Sequence, residues 1–221
     1  SPSILISIRG DFLMDIDERK PENFIVRNGV LFKYTGSSEK IVSIPDGITE
    51  IDDAAFLSHG EITSIRVPDS VKRIGQYAFV SCSSLKSIDI GSGVKNIPMG
   101  CFTGLLELEH VNLFDSLESI DDFAFRGCRS LRSIQFFSVK QREPITSEEK
   151  GMVIEAMLLG KPFHINYVEK ADTIPILERI GNYAFADCPS FDYSAIKEKT
   201  IQVGINAFDE VVEKFISSEP D

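Results

Sequence analysis

The sequence predicts an α/β repeat solenoid, a right-handed superhelix of 23-residue turns with short parallel strands on one face, an N-terminal β-hairpin cap and an inserted helix. Three observations carry that prediction. Phe56, Phe79, Phe102 and Phe125 stand 23 residues apart, and Phe185 and Phe208 repeat the interval after a gap. The columns around them stay apolar in register: Ile62, Leu85, Leu108 and Leu131 six residues later, Ile65, Ile88, Val111 and Ile134 nine later, and Ile51, Ile74, Ile97 and Ile120 five before. Finally, one 23-residue unit holds too few apolar side chains to offset the entropy of ordering it, so units of this kind are stable only when stacked.

The elements follow in order along the chain. Residues 1–43 are read as an N-terminal segment and a hairpin cap, with Asn28-Gly29 between two apolar runs as the two-residue turn. Residues 44–137 hold four repeats. In each, an alternating stretch such as Leu85-x-x-Ile88-x-Ile90 is a strand that turns Ile88 and Ile90 inward and Ser87 and Asp89 outward. The "GQYAFVSC" segment suits one helical turn or a tight loop on the opposite side, where a small residue (Ala55, Ala78, Cys101, Ala124) precedes each phenylalanine. Residues 138–172 break the frame, because Phe125 and Phe185 are 60 apart. Within them "TSEEKGMVIEAMLLG" predicts a helix. Thr146 or Ser147 caps it, Glu148 and Glu149 suit its positive end, and Gly160 closes it before Pro162. Its apolar side, with Met152, Val153, Ala156, Met157 and Leu159, packs back on the array or docks on a partner. Residues 173–221 supply two further repeats and a C-terminal cap, with Ile180, Ala184, Val203 and Ala207 in their columns.

A 20- to 29-residue period marks a leucine-rich-repeat solenoid, and the pattern "IPxxVxxIxxxAFxxCxxLxxI" resembles the BspA-type, or Treponema pallidum-type, leucine-rich repeat. The lead-in "NFIVRNGVLFKYTGSSEKIVSIPDGI" is similar to the hairpin that often opens such arrays. The resemblance covers residues 24–136 closely and 174–208 loosely. It departs where His59 and Leu105 replace the cysteine of Cys82, Cys128 and Cys188, and where Ile174-Pro175 lies one residue too near its phenylalanine. The resemblance implies a non-enzymatic binding module for a protein or glycan surface, displayed or secreted in bacterial adhesion or host interaction. The alternative from another class is an intracellular scaffold or regulatory domain of a larger protein.

Composition bounds the partners. A formal net charge of -11 without clustered Lys and Arg argues against nucleic acid and anionic membrane surfaces. No apolar run approaches the ~20 residues that cross a bilayer, so membrane insertion is not expected. Residues 4–8 are apolar but short and acids follow, unlike a signal peptide; the chain starts at Ser1, not Met, which leaves the compartment open.

Candidate chemistry is sparse. Cysteines two turns apart in one column lie about 10 Å from each other for turns stacked ~4.8 Å apart, beyond the ~7 Å limit of a disulfide, so the four thiols are expected as buried apolar groups. No spacing suits a metal ligand set, and no cofactor is expected. His59, His110 and His164 lack a nucleophile at suggestive spacing, "GSGVKNIP" lacks the context of a phosphate loop, and the acids of "DIDE" and "IDD" suit surface turns. Catalysis is therefore not expected.

The candidate partner surface is the outer face of the strands. Ser64, Ser87, His110 and Ser133 repeat eight after the phenylalanine, and Arg66, Asp89, Asn112 and Gln135 ten after. Any solvated sheet face carries such polar rows. Twelve after, Pro68 and Gly91 give way to Phe114 and Phe137, two aromatics on adjacent turns that form a binding hot spot if exposed and a hidden pair if the insertion covers them.

Overall fold

The computed structural model describes residues 21–139, 168–170, 177–191 and 202–208. In chain order the strands are β1 (Phe24–Arg27), β2 (Val30–Tyr34), β3 (Ile41–Ser43), β4 (Glu50–Ile51), β5 (Ser64–Arg66), β6 (Arg73–Ile74), β7 (Ser87–Asp89), β8 (Asn96–Ile97), β9 (His110–Phe114), β10 (Ser119–Ile120), β11 (Ser133–Val139), β12 (Val168–Lys170), β13 (Arg179–Ile180) and β14 (Gln202–Val203). They form a β-solenoid in which each full turn contributes two strands. A front sheet runs β3-β5-β7-β9-β11-β12, parallel except for the antiparallel β12 at its edge. On the other side β2, β4 and β6 form one short parallel ladder and β8, β10, β13 and β14 another.

The pairing register is the repeat period made physical. Ile65 pairs with Ile88 and Ile88 with Val111, each 23 residues on, so identical columns stack. The phenylalanine column shows this most plainly: ring centroids lie 5.2, 5.4 and 5.0 Å apart from Phe56 through Phe79 and Phe102 to Phe125. The column continues across the insertion to Phe185 at 5.1 Å and Phe208 at 5.5 Å. These rings are at most 3% exposed, and the core of which they are the spine runs unbroken from Leu31 to Phe208. Burial at this density, with the inter-turn hydrogen bonds, is what a single unit lacks.

The turns themselves are tight. The residue two before each phenylalanine has a left-handed backbone: Ala54, Tyr77, Gly100, Phe123, Tyr183 and Asn206 all have φ between 49° and 62°. Only one of the six is glycine. A left-handed L-residue costs roughly 1–2 kcal/mol, so stacking imposes the conformation against local preference. The amide of the phenylalanine donates to the next turn, as Phe56 N to Ala78 O at 2.9 Å and Phe102 N to Ala124 O at 2.8 Å. Gly75 sits at a close approach between turns, since a Cβ there would lie 2.4 Å from the Asp52 carbonyl carbon.

The α part of the expected α/β class is not seen: among the described residues there is a three-residue 3-10 turn (Pro21–Asn23) and no α-helix. The "GQYAFVSC" segment is a run of turns. The helix expected at residues 146–160, the entry to the fifth repeat at Ile174-Pro175 and the C-terminal cap lie outside the described residues. The back ladders were not expected. Apart from β2, their strands are two residues long, too short to show a period of two, although the inward members Ile51, Ile74, Ile97 and Ile120 form an apolar column in the sequence.

The hairpin cap forms as Asn28 and Gly29 dictate, with φ of 50° and 77° closing the Arg27–Val30 pair. The cap is also a turn in disguise. Tyr34, 22 residues before Phe56, occupies the ring column, stacked on Phe56 at 5.1 Å. Its amide donates to Ala55 O at 2.9 Å, as the phenylalanines' do. Its hydroxyl donates to Glu39 Oε2 at 3.2 Å, giving the column a polar end.

Candidate partner-binding surface

The front sheet brings the predicted rows together. Ser64, Ser87, His110 and Ser133 are lateral neighbours, and so are Arg66, Asp89, Asn112 and Gln135. Their inward neighbours Ile65, Ile88, Val111 and Ile134 are at most 4% exposed, so the alternation fixes which face is outer. On that face His110 and Gln135 are exposed, and Arg66, Ser87, Asp89, Asn112 and Ser133 are half-buried.

Much of the polar capacity of these rows is spent laterally. Ser87 Oγ donates to Ser64 Oγ at 3.0 Å, and Asn112 Nδ2 to Asp89 Oδ1 at 2.7 Å. His110 and Arg132 flank the Glu109 carboxylate at 3.9 and 3.8 Å. These bonds hold the side chains in a set pose, which lowers the entropy lost when a partner docks. Arg66 and Asp89, of opposite charge, are lateral neighbours.

The phenylalanine pair is corrected in part. Phe114 is 6% exposed, and Phe137 is half-buried with its ring centroid 6.4 Å away at a 53° tilt. Phe114 shares the outward parity of His110 and Asn112, and it stands outside the continuous core cluster. It is therefore a covered residue on the outer side, not an exposed anchor. The position is one the repeat buries, since Pro68 and Gly91 in the same column of the two preceding turns are buried as well. β9 has five residues and β11 seven where the earlier front strands have three, and β12 pairs with Phe137, Ser138 and Val139.

The interior supplies the chemistry that sequence flagged elsewhere. All four cysteines are free and buried. Cys82, Cys128 and Cys188 donate Sγ–H to the carbonyls of Phe56, Phe102 and Phe125 one turn back, at 3.3, 3.0 and 3.1 Å. Burial pushes the Cys82 thiol up to about 12 and raises Cys101 and Cys128 as well. Thiols so protonated are inert. His59, in the same column, makes the same bond, its Nε2 to Tyr34 O at 3.0 Å, with Nδ1 against Glu61 Oε1 at 3.2 Å. The Tyr34 hydroxyl is also held protonated, first by burial and then by Glu39.

The back face is knitted too. Arg73 pairs with Glu50, Arg179 with Asp121, and Ser119 Oγ donates to Asn96 Oδ1 at 2.6 Å. A shallow cleft of about 240 Å³ at its C-terminal end is lined by Asp122, Arg179, Asn182 and Gln202, but Asp122 already accepts from Asn182 N at 2.8 Å and Arg179 is paired. Among the described residues no cluster of three or more His, Cys, Asp or Glu is placed to hold a metal ion, and no helix is long and apolar enough to cross a membrane. His164 lies outside the described residues.

A family model described as "BspA type Leucine rich repeat region" matches residues 28–143 and 165–217 in six copies. Three solved structures share the fold. The Treponema pallidum leucine-rich-repeat protein aligns with a TM-score of 0.60 at 17% identity over 93% of this chain and 98% of its own. A leucine-rich cell surface protein from Faecalibacterium prausnitzii aligns at 0.53 and 22% identity, covering 87% of this chain and 38% of that one. A leucine-rich-repeat protein from Eubacterium ventriosum aligns at 0.53 and 17%, covering 84% and 49%. This chain thus spans nearly all of the first and less than half of the other two. No curated protein matches it.

Proposed function

The chain belongs to the BspA-type leucine-rich-repeat family, and we propose that it is a non-enzymatic binding module that receives a protein or glycan on the outer face of its front sheet. The observation that carries this reading is the lateral alignment of Arg66, Asp89, Asn112 and Gln135 with Ser87, His110 and Ser133 on one sheet. A rigid scaffold that repeats its outward side chains every turn offers a broad, preorganised surface to another macromolecule. With Phe114 covered, the contacts centre on His110, Gln135 and the half-buried Phe137. In this reading the module acts in adhesion or host contact; the name of the F. prausnitzii relative, a cell surface protein, supports display at a bacterial surface and nothing finer.

The test is capture with the intact protein and a triple variant, Arg66→Glu, His110→Ala and Gln135→Ala, of unchanged melting behaviour. The reading expects partner capture to fall at least tenfold, since outward residues contribute to contact and little to stability. Equal capture by the triple variant and by the parent chain overturns it. A second reading, an intracellular scaffold or regulatory module, is favoured by the four free thiols. An export signal or wall anchor in the full-length gene decides for display, and its absence for the scaffold.

A further inference from the structure

Seven asparagines occur in the chain, and Asn28 alone precedes a glycine. Four of the other five described asparagines differ in their surroundings as well. The carboxamides of Asn23, Asn96, Asn112 and Asn182 donate to Glu39, Asp121, Asp89 and Asp122. The Asn28 side chain is exposed at the tip of the hairpin; that of Asn206 is exposed too, but Ala207 follows it. Gly29 carries no Cβ to screen its amide nitrogen, and both residues lie in the left-handed region, with φ of 50° and 77°.

We infer that Asn28 is a site of spontaneous backbone modification, deamidation to aspartate and isoaspartate, and that the change loosens the seam between the cap and the first repeat. The chemistry balances without oxidant or cofactor. The Gly29 amide nitrogen, losing its proton to base, attacks Asn28 Cγ; a C–N bond forms and ammonia leaves with the former side-chain nitrogen. Water then opens the cyclic imide at either carbonyl. Opening at the main-chain carbonyl carbon leaves isoaspartate, which routes the backbone through one additional carbon.

The seam is where that extra carbon matters. The Gly29 carbonyl accepts from Thr49 N at 2.8 Å, Glu50 N at 3.3 Å and Thr49 Oγ1 at 3.3 Å. These bonds tie the hairpin turn to β4 and begin the back ladder. An isoaspartyl link displaces the carbonyl from all three donors, whereas conversion to ordinary aspartate adds charge and leaves the backbone in place. The inference is independent of which partner the front sheet binds.

The test uses the whole chain, aged in mildly alkaline buffer at body temperature beside a synthetic peptide of residues 24–34. Peptide mapping is expected to show a gain of about one dalton at Asn28 and at no other asparagine. Isoaspartate there becomes detectable by an isoaspartyl-specific methylation assay. Amide exchange at Thr49 and Glu50 is expected to quicken roughly five- to tenfold, the loss of one or two net hydrogen bonds, while freshly made Asn28→Asp protein exchanges at the parental rate. An unmodified Asn28 after the peptide has converted fully overturns the inference, as does aged, isoaspartyl protein whose Thr49 and Glu50 exchange is unchanged.

Discussion

The front and back of the solenoid respond differently to the same interruption. At the front, the ladder reaches β11 and meets the antiparallel β12, so Phe137, Ser138 and Val139 pair with an inserted strand. At the back, β10 hydrogen-bonds directly to β13, and Asn182 N donates to Asp122 Oδ1 at 2.8 Å across 60 residues of sequence. The ring column follows the back, since Phe125 stacks on Phe185 at 5.1 Å, as tightly as within the uninterrupted repeats. Across the insertion the core and the back ladder continue. The continuous core holds the two sides of the insertion together.

The sharpest way to break the comparison is to damage what both faces share. Ile88 is 1% exposed beneath the front sheet, and Ile88→Asp places a charge in a dry column without a partner, which is expected to abolish the cooperative melt. Phe102→Ala removes a ring stacked on both sides and is expected to cost about 3–5 kcal/mol in denaturant unfolding. A melt within a few degrees of the parent's in either variant contradicts the stacked core.

A gentler change isolates the two faces. Replacing residues 140–167 with a two-residue Asn-Gly turn joins Val139 to Val168, already a register pair. Stability is expected to shift by only about 1 kcal/mol, or 2–4 °C, with the amides of β13 and β14 still protected in hydrogen exchange. Loss of protection there places the insertion in the core after all. Alkaline pH probes the interior without mutation. Burial raises the thiols of Cys82, Cys101 and Cys128 above their unfolded value of ~8.5. Unfolding above that pH therefore releases protons, so their contribution is complete below it and is lost as pH rises toward about 12 for Cys82. Thermal melts are expected to fall steadily across that window, and less in a Cys82→Ala variant. Smallest is Ala54→Gly, at φ 52°, expected to gain roughly 0.5–1 kcal/mol by relieving the left-handed strain.

What the sequence made legible is what repetition enforces. The phenylalanine, leucine and isoleucine columns could be read because each interior position meets its own kind one turn away. Tyr34 escaped notice because the cap turn has 22 residues and a different ring, although Val42 and Ile44 occupy inward positions after it. Whether Phe114 is exposed or covered could not be read, because its column runs Pro68, Gly91, Phe114, Phe137 and shows no apolar rule, although the first three are all buried. The lateral register of the polar rows follows from the period, yet their bonds, such as Asn112 to Asp89, depend on rotamers that residue type leaves open.

The central claim is that like-numbered residues of successive turns lie side by side. Ser64 and Ser87 are register partners on the outer face with hydroxyls 3.0 Å apart, and Ser64 and His110 are two turns apart, about 10 Å at ~4.8 Å per strand. With the native thiols buried, a Ser64→Cys, Ser87→Cys double variant is predicted to oxidise to an intramolecular disulfide, and a Ser64→Cys, His110→Cys variant to remain reduced. A bridge in the second variant, or none in the first, contradicts the account.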